Sequence, residues 1–120
     1  MAQYAVVNIL KYKDDCLYFS DDDSKWEKVS EETVTGFPKQ NELVLWVAGP
    51  GVKRITSIDF EDINDFKRPP KAKYKGRMWF AKIKEDAVIG NEPKYTISFI
   101  VDGKELTVDP KIKIEGGGGG

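Results

Sequence analysis

Residues 91–114 read NEPKYTISFIVDGKELTVDPKIKI, and this stretch decides the fold class. Tyr95, Ile97, Phe99 and Val101 recur at every second position, with Thr96 and Ser98 between them. A period of two sends alternate side chains to opposite faces of an extended chain. The run therefore predicts a half-buried β-strand, apolar inside and hydroxyl-bearing outside. Asp102-Gly103 follows at once, the pair that serves a two-residue hairpin with positive φ at both central positions. On the return, Ile112 and Ile114 alternate with Lys111 and Lys113. Asp109-Pro110 interrupts that return. Proline fixes φ and removes a backbone donor, and the residue before it is pushed towards extended or turn geometry. A bend here would carry the chain from 105–108 into 111–114, towards a second sheet.

The same alternation extends outward along the chain. Trp79, Ala81 and Ile83 repeat at period two, with Lys82 and Lys84 facing out. In LVLWV, residues 43–47, both parities are apolar, so this strand belongs in the middle of a packed sheet. Gly49-Pro50-Gly51, Pro69-Pro70 and Gly90-Asn91-Glu92-Pro93 punctuate the runs. About eight strands follow, near 4–10, 16–20, 26–35, 43–48, 54–60, 78–84, 94–101 and 104–114. Short strands at roughly 8–12-residue spacing mark an all-β sandwich or barrel. The expectation is a sandwich of two antiparallel sheets, about 7–8 strands, with Greek-key connections. Residues 24–29 and 61–66 are the best places for a helix, one or two turns at most. Residues 1–115 are expected to form one domain and 116–120 a flexible glycine tail.

The dipeptides Glu92-Pro93 and Asp109-Pro110, with the strand and hairpin between them, resemble the signature of the DP-EP family of short bacterial β-sandwich proteins. The Asp-Pro ending is also similar to that of bacterial inclusion-body proteins. The resemblance covers about 24 residues, with further support from Trp46 and Gly49-Pro50-Gly51. It implies an immunoglobulin-like or cupredoxin-like double sheet and carries no catalytic residues with it.

Composition limits the chemistry. The 120 residues hold 19 Lys plus Arg against 20 Asp plus Glu, a formal net charge of -1, with no histidine and one cysteine. Without histidine there is no imidazole base, and Ser-His-Asp and Cys-His catalysis are excluded. A blue-copper site fails on ligand count, and a single Cys16 builds neither an internal disulfide nor a cysteine zinc site. Cys16 follows Asp14 and Asp15, which blunt a thiolate. No cofactor and no enzymatic activity are expected. The N-terminal MAQYAVVNIL lacks the basic region and cleavage site of a signal peptide, so the expected location is cytoplasmic.

Three places remain as candidate sites. Asp21-Asp22-Asp23 offers oxygens to a hard cation such as calcium, or serves simply as a solvated turn guarding a sheet edge. Trp26 lies among Lys25, Glu27 and Lys28 and is the tryptophan expected to be partly exposed; Trp46 is the one expected in the core. An exposed Trp stacks on a sugar or anchors a protein partner. Residues 67–84 carry eight cations and no acid, interleaved with aromatics; Lys71, Lys73, Tyr74, Lys75 and Arg77 are the candidate contacts. Basic residues with rings suit single-stranded nucleic acid. The charge is uneven: residues 1–66 hold 13 acids and 7 bases, and residues 67–120 hold 7 acids and 12 bases. Copies could therefore dock acidic half to basic half. The leading expectation is a non-catalytic binding or structural module acting through protein–protein contacts or self-association. The alternatives are a carbohydrate-binding sandwich and, after it, a single-strand nucleic-acid binder. No membrane partner is expected.

Overall fold

The 95–101 run forms the strand its alternation predicts, with Tyr95, Ile97 and Phe99 buried. In the computed structural model, which describes residues 5–22, 24–31 and 33–116, it is one of nine strands. These are β1 (Ala5–Lys13), β2 (Cys16–Ser20), β3 (Glu27–Lys28), β4 (Leu43–Ala48), β5 (Arg54–Phe60), β6 (Lys71–Lys73), β7 (Met78–Lys82), β8 (Tyr95–Val101) and β9 (Lys104–Val108). They make two open sheets, ordered β3-β2-β1-β4-β7-β6 and β5-β8-β9. Asp102 and Gly103 have φ of 49° and 78°, so the hairpin joining β8 to β9 is the one the sequence demands.

The sheets share one core. From the larger sheet, Leu10, Leu17, Val44, Trp46 and Ala81 point inward; from the smaller, Ile55, Ile58, Tyr95, Ile97 and Phe99 meet them. Ring contacts cross the interface, Trp46 to Tyr95 at 5.6 Å and Tyr12 to Phe99 at 5.9 Å. The Trp79 indole N–H also crosses it, donating to the Ile55 carbonyl at 2.8 Å. That carbonyl lies where the β5 register shifts between Ile55 and Ser57. A bulge disrupts the local ladder and so leaves room for an outside donor.

Four expectations are corrected. The larger sheet is mixed, because β1 and β4 run parallel, with Ala5 opposite Leu43 and Leu10 opposite Ala48. Parallel neighbours need a long connection, and here β2, β3 and residues 29–42 bring the chain back to the start of β1. Among the described residues there are nine strands where about 7–8 were expected, because Lys71–Lys73 adds an edge strand just after Pro69-Pro70. Neither 24–29 nor 61–66 is helical; the only helical turn among the described residues is the 3-10 turn Tyr74–Gly76. In 61–66 the Asp62 carboxylate accepts the Asn64 N–H at 2.8 Å, a local bond that competes with a helix. Finally, Asp109-Pro110 does not switch the chain between sheets. Lys94 stands opposite Lys111 in the register that already pairs Ile97 with Val108.

Beyond that proline the C-terminal segment is held on both sides. Ile112 N–H donates to the Pro93 carbonyl at 3.1 Å and Lys113 N–H to Gly36 at 3.1 Å, so 111–115 lies between 90–94 and 33–39. Ile112 and Ile114 are fully buried there. A buried hydrogen-bond chain fixes the crossing. Trp46 Nε1–H donates to the Tyr95 hydroxyl at 3.1 Å, and Tyr95 shares a short bond with the Thr35 hydroxyl. Thr35 in turn reaches the Lys111 carbonyl at 3.4 Å.

Candidate functional site

The register of the six-stranded sheet defines which side chains face away from the core. In β1 these are Val7, Ile9, Lys11 and Lys13; their partners in β4 are Leu45 and Val47, joined by Leu43. In β7, Met78, Phe80 and Lys82 stand opposite Val47, Leu45 and Leu43. In β6, Lys71 and Lys73 stand opposite Phe80 and Met78. On the other flank, Tyr18 of β2 lies opposite both Lys11 and Lys28 of β3. Three adjacent central strands thus form an apolar floor: Val7, Ile9, Leu43, Leu45, Val47, Met78 and Phe80. All seven are half-buried, and none belongs to the core cluster or packs against it.

Positive charge lies along one side of that floor and at its ends. Lys11, Lys13, Lys28, Lys71, Lys73 and Lys82 occupy outward positions, and no Asp or Glu occupies an outward position of any of the six strands. Two rings there already hold ammonium groups: Lys73 Nζ lies 5.0 Å from the Phe80 centroid, and Lys11 Nζ lies 5.0 Å from that of Trp26. These cation–π contacts keep the lysine stems laid over apolar surface. At the Leu43 end, Lys67, Arg68 and Pro69 raise a wall, giving a groove of about 280 Å³ with Leu43, Phe80 and Ala81 beneath and Lys71 and Lys82 beside it. The wall is held by the Lys67 N–H, which donates to the Lys82 carbonyl at 3.0 Å.

The outward face of the smaller sheet is of another kind. Ser98 stands opposite Thr107 and Thr96 opposite Asp59. The Thr96 hydroxyl donates to Asp109 at 2.6 Å, and the Thr56 hydroxyl donates to Glu105 at 2.7 Å. One side of the molecule is therefore mainly hydroxyl and acidic, with Arg54 and Ile100 at one end, and the other is aliphatic and basic.

The sequence candidates fall unevenly on this map. Lys71 and Lys73 are on the basic face. Tyr74, Lys75 and Arg77 are not gathered with them; they form the turn from β6 to β7, with positive φ at Tyr74 and Lys75 and with Tyr74 72% exposed. Gly76, in that turn, sits against the Ile55 carbonyl of the smaller sheet. Trp26 is half-buried, beneath the Lys11 ammonium. Trp46 is wholly buried, as the sequence expects.

The acidic run is engaged locally. The Asp22 carboxylate accepts the Ser24 hydroxyl at 2.6 Å and the Ser24 N–H at 3.0 Å. The Ser24 hydroxyl chiefly, with that N–H and the Ser20 hydroxyl, holds its pKa below the usual carboxylate range. Asp21 is exposed, and Asp23 lies outside the described residues. Among the described residues no three His, Cys, Asp or Glu side chains come together as a metal cluster. A larger hollow of about 770 Å³ opens beside Val6, Phe19 and Phe37, but its charges are mixed, Asp21 and Glu27 with Lys25.

Sequence reading missed two groups. Lys11, Lys13 and Lys28 belong to the acidic half of the chain, and only the pairing puts them on the same face as Lys71 and Lys73. For Lys11 and Lys13 the parity they share with Ile9 was the available signal; Lys28, on another strand, carried none. Asp65 was also missed. It is 7% exposed, and its carboxylate accepts the Val88 N–H at 3.1 Å and the Asn91 side-chain amide at 2.9 Å, fastening the loop before β8. No family model matches the sequence, and no curated protein matches it.

Proposed function

We propose that the protein is a non-catalytic binding module that works through protein–protein contacts made by the outward face of its six-stranded sheet. The observation that carries this reading is the floor itself: seven apolar side chains from three adjacent strands, outside the core, with lysines along its β6 side and at both ends. A contiguous apolar patch with a polar rim is the usual mark of an interaction surface. Two buried titratable groups elsewhere support the same reading. Tyr95 and Asp65 are spent on hydrogen bonds that hold loops.

The architecture is read as immunoglobulin-like or cupredoxin-like, supported by the three crossings of the chain between the sheets, after β4, β5 and β7. Kinship with the DP-EP family is read from Glu92-Pro93 and Asp109-Pro110. The two dipeptides are neighbours across one ladder, where the Tyr95 N–H meets the Pro110 carbonyl and the Ile112 N–H meets that of Pro93.

The test is site-specific photocrosslinking in the source cell, with the crosslinker placed at Leu45 in one sample and at Ser98 of the opposite face in another. A discrete protein adduct at position 45 and none at 98 is expected. Adducts of equal strength at both positions, or none at 45, would overturn the reading.

A further inference from the structure

We propose that the occupant of this face is an acidic amphipathic helix supplied by a protein partner. The inference rests on the reading above and names the partner's chemistry.

Shape is the first argument. The floor comprises β1, β4 and β7, with β6 and its lysines one strand beyond. Strands lie about 4.8 Å apart, so β1 and β6 are roughly 14 Å apart. A helix with its side chains is about 10–12 Å across and fits that gap lengthwise. The β1–β4 pair adds a second argument. Parallel strands are characteristically covered on both faces. Here the inward face is covered by the smaller sheet, and among the described residues no element is laid on the outward one.

Charge then selects the helix. Lys71 and Lys73 stand along the β6 side of the floor, Lys82 at its Leu43 end, and Lys11, Lys13 and Lys28 past its other end, beyond Ile9 and Val47. A stripe of apolar residues at i, i+3, i+4 and i+7, bordered by carboxylates, would put apolar on apolar, acid on Lys71 and Lys73 along the β6 border, and acid on lysine again at the two ends. The groove under Lys67, Arg68 and Pro69 would seat one large apolar side chain at the end of the stripe. The same face of a second copy is disfavoured, since it brings lysines against lysines. Single-stranded nucleic acid is disfavoured because six of the seven floor residues are aliphatic, and stacking needs rings. The rings of Trp26 and Tyr18 lie beyond β1, and Trp26 already carries the Lys11 ammonium. An anionic membrane, which such lysines would also attract, is separated by the vesicle arm of the experiment.

The experiment is an amide-shift titration of the whole, isotope-labelled chain. The main probe is a synthetic helix of about 18 residues, long enough to be helical when bound, with a leucine stripe bordered by glutamates. The comparison probes are the same helix with lysine borders, oligo-dT, and phosphatidylcholine–phosphatidylserine vesicles. Binding of the acidic helix is expected at least about tenfold tighter than that of its lysine counterpart, with shifts confined to β1, β4, β7 and β6. The Lys71→Glu, Lys73→Glu double variant, whose side chains are exposed, should keep a native spectrum and weaken binding about tenfold. Shifts elsewhere, equal binding of the two helices, or tighter binding by oligo-dT or vesicles would overturn the proposal. Broadening that grows with protein concentration and is relieved by salt, without any probe, would assign the face to a second copy and overturn it too. If the acidic helix fails while the crosslink at Leu45 persists, the partner chemistry falls and the protein-contact face stands; if both fail, both readings fall.

Discussion

Asn8 is fully buried on the inward side of β1, opposite Trp46, and its Oδ1 has no hydrogen-bond partner. Its amide reaches the Leu45 carbonyl only at 3.5 Å, the outer limit of a useful bond. An unsatisfied buried polar atom costs about 1–3 kcal/mol. Asn8→Leu, close in shape and apolar, should therefore stabilise the fold by roughly 1 kcal/mol, or raise Tm by about 4 °C. Calorimetry of the two proteins checks this, and a lower Tm in the variant would contradict it. Tyr95 shows the opposite case, a buried polar group that is used. Burial chiefly, against the opposing hydrogen bonds from Thr35 and Trp46, pushes its pKa from the ordinary 10 up to about 12. A raised pKa favours the protonated phenol in the fold. Its contribution is complete below about pH 10 and is lost as pH rises through about 12, roughly 3 kcal/mol in all. Phenolate absorbance should show one of the five tyrosines ionising only near pH 12 or with unfolding. Tyr95→Phe should remove that late step. It should also cost about 1–2 kcal/mol at neutral pH, because the Trp46 indole N–H loses its acceptor. If all five tyrosines titrate together in the folded protein, this account of Tyr95 fails.

Strands were the most legible elements, because a period of two is local. The run at 43–48 is found as read, and so are those at 16–20 and 54–60. What alternation does not encode is the neighbour. It says which side chains share a face and leaves open which strand lies alongside and in which direction. The parallel pairing of β1 with β4 was therefore invisible, although the apolar character of both parities in 43–47 correctly put β4 at the centre of a sheet. Residues 26–35 shrank to the two-residue β3, and 33–39 instead lies parallel to 111–115. The turn after β4 extends the pairing with β1, since Gly49 N–H donates to the Leu10 carbonyl at 2.7 Å and Tyr12 N–H to that of Pro50 at 2.9 Å. Gly51 has φ of 81°, and a Cβ there would lie 2.2 Å from the Tyr12 carbonyl oxygen. Gly103 has φ of 78° with open space around it. Alanine at either site pays the left-handed penalty, and only at 51 does it also meet backbone. Gly51→Ala should cost roughly 2–4 kcal/mol in urea unfolding and Gly103→Ala about 1–2. Equal losses would contradict the close approach.

At the scale of the whole molecule, the charge asymmetry belongs to faces rather than to halves of the chain. The sequence shows an acidic front and a basic back, yet Lys11, Lys13 and Lys28 come from the front and stand with Lys71, Lys73 and Lys82. Lys71 and Lys73 were legible as candidates because they sit in an acid-free run. Tyr74, Lys75 and Arg77 share that run but leave the face, because the chain turns at positive φ before β7. The floor was half legible: the apolar parities of 43–47 were plain, and their exposure on one side was not, since sequence does not say how many layers a sheet receives. The central claim is that this side is the working surface. Amide line widths of the labelled protein inside the source cell test it most directly. Broadening at Val7, Ile9, Leu45, Val47 and Phe80, with sharp lines at Thr96, Ser98 and Thr107, is the result predicted. Uniform line widths, or broadening centred on the hydroxyl face of β8 and β9, would contradict it.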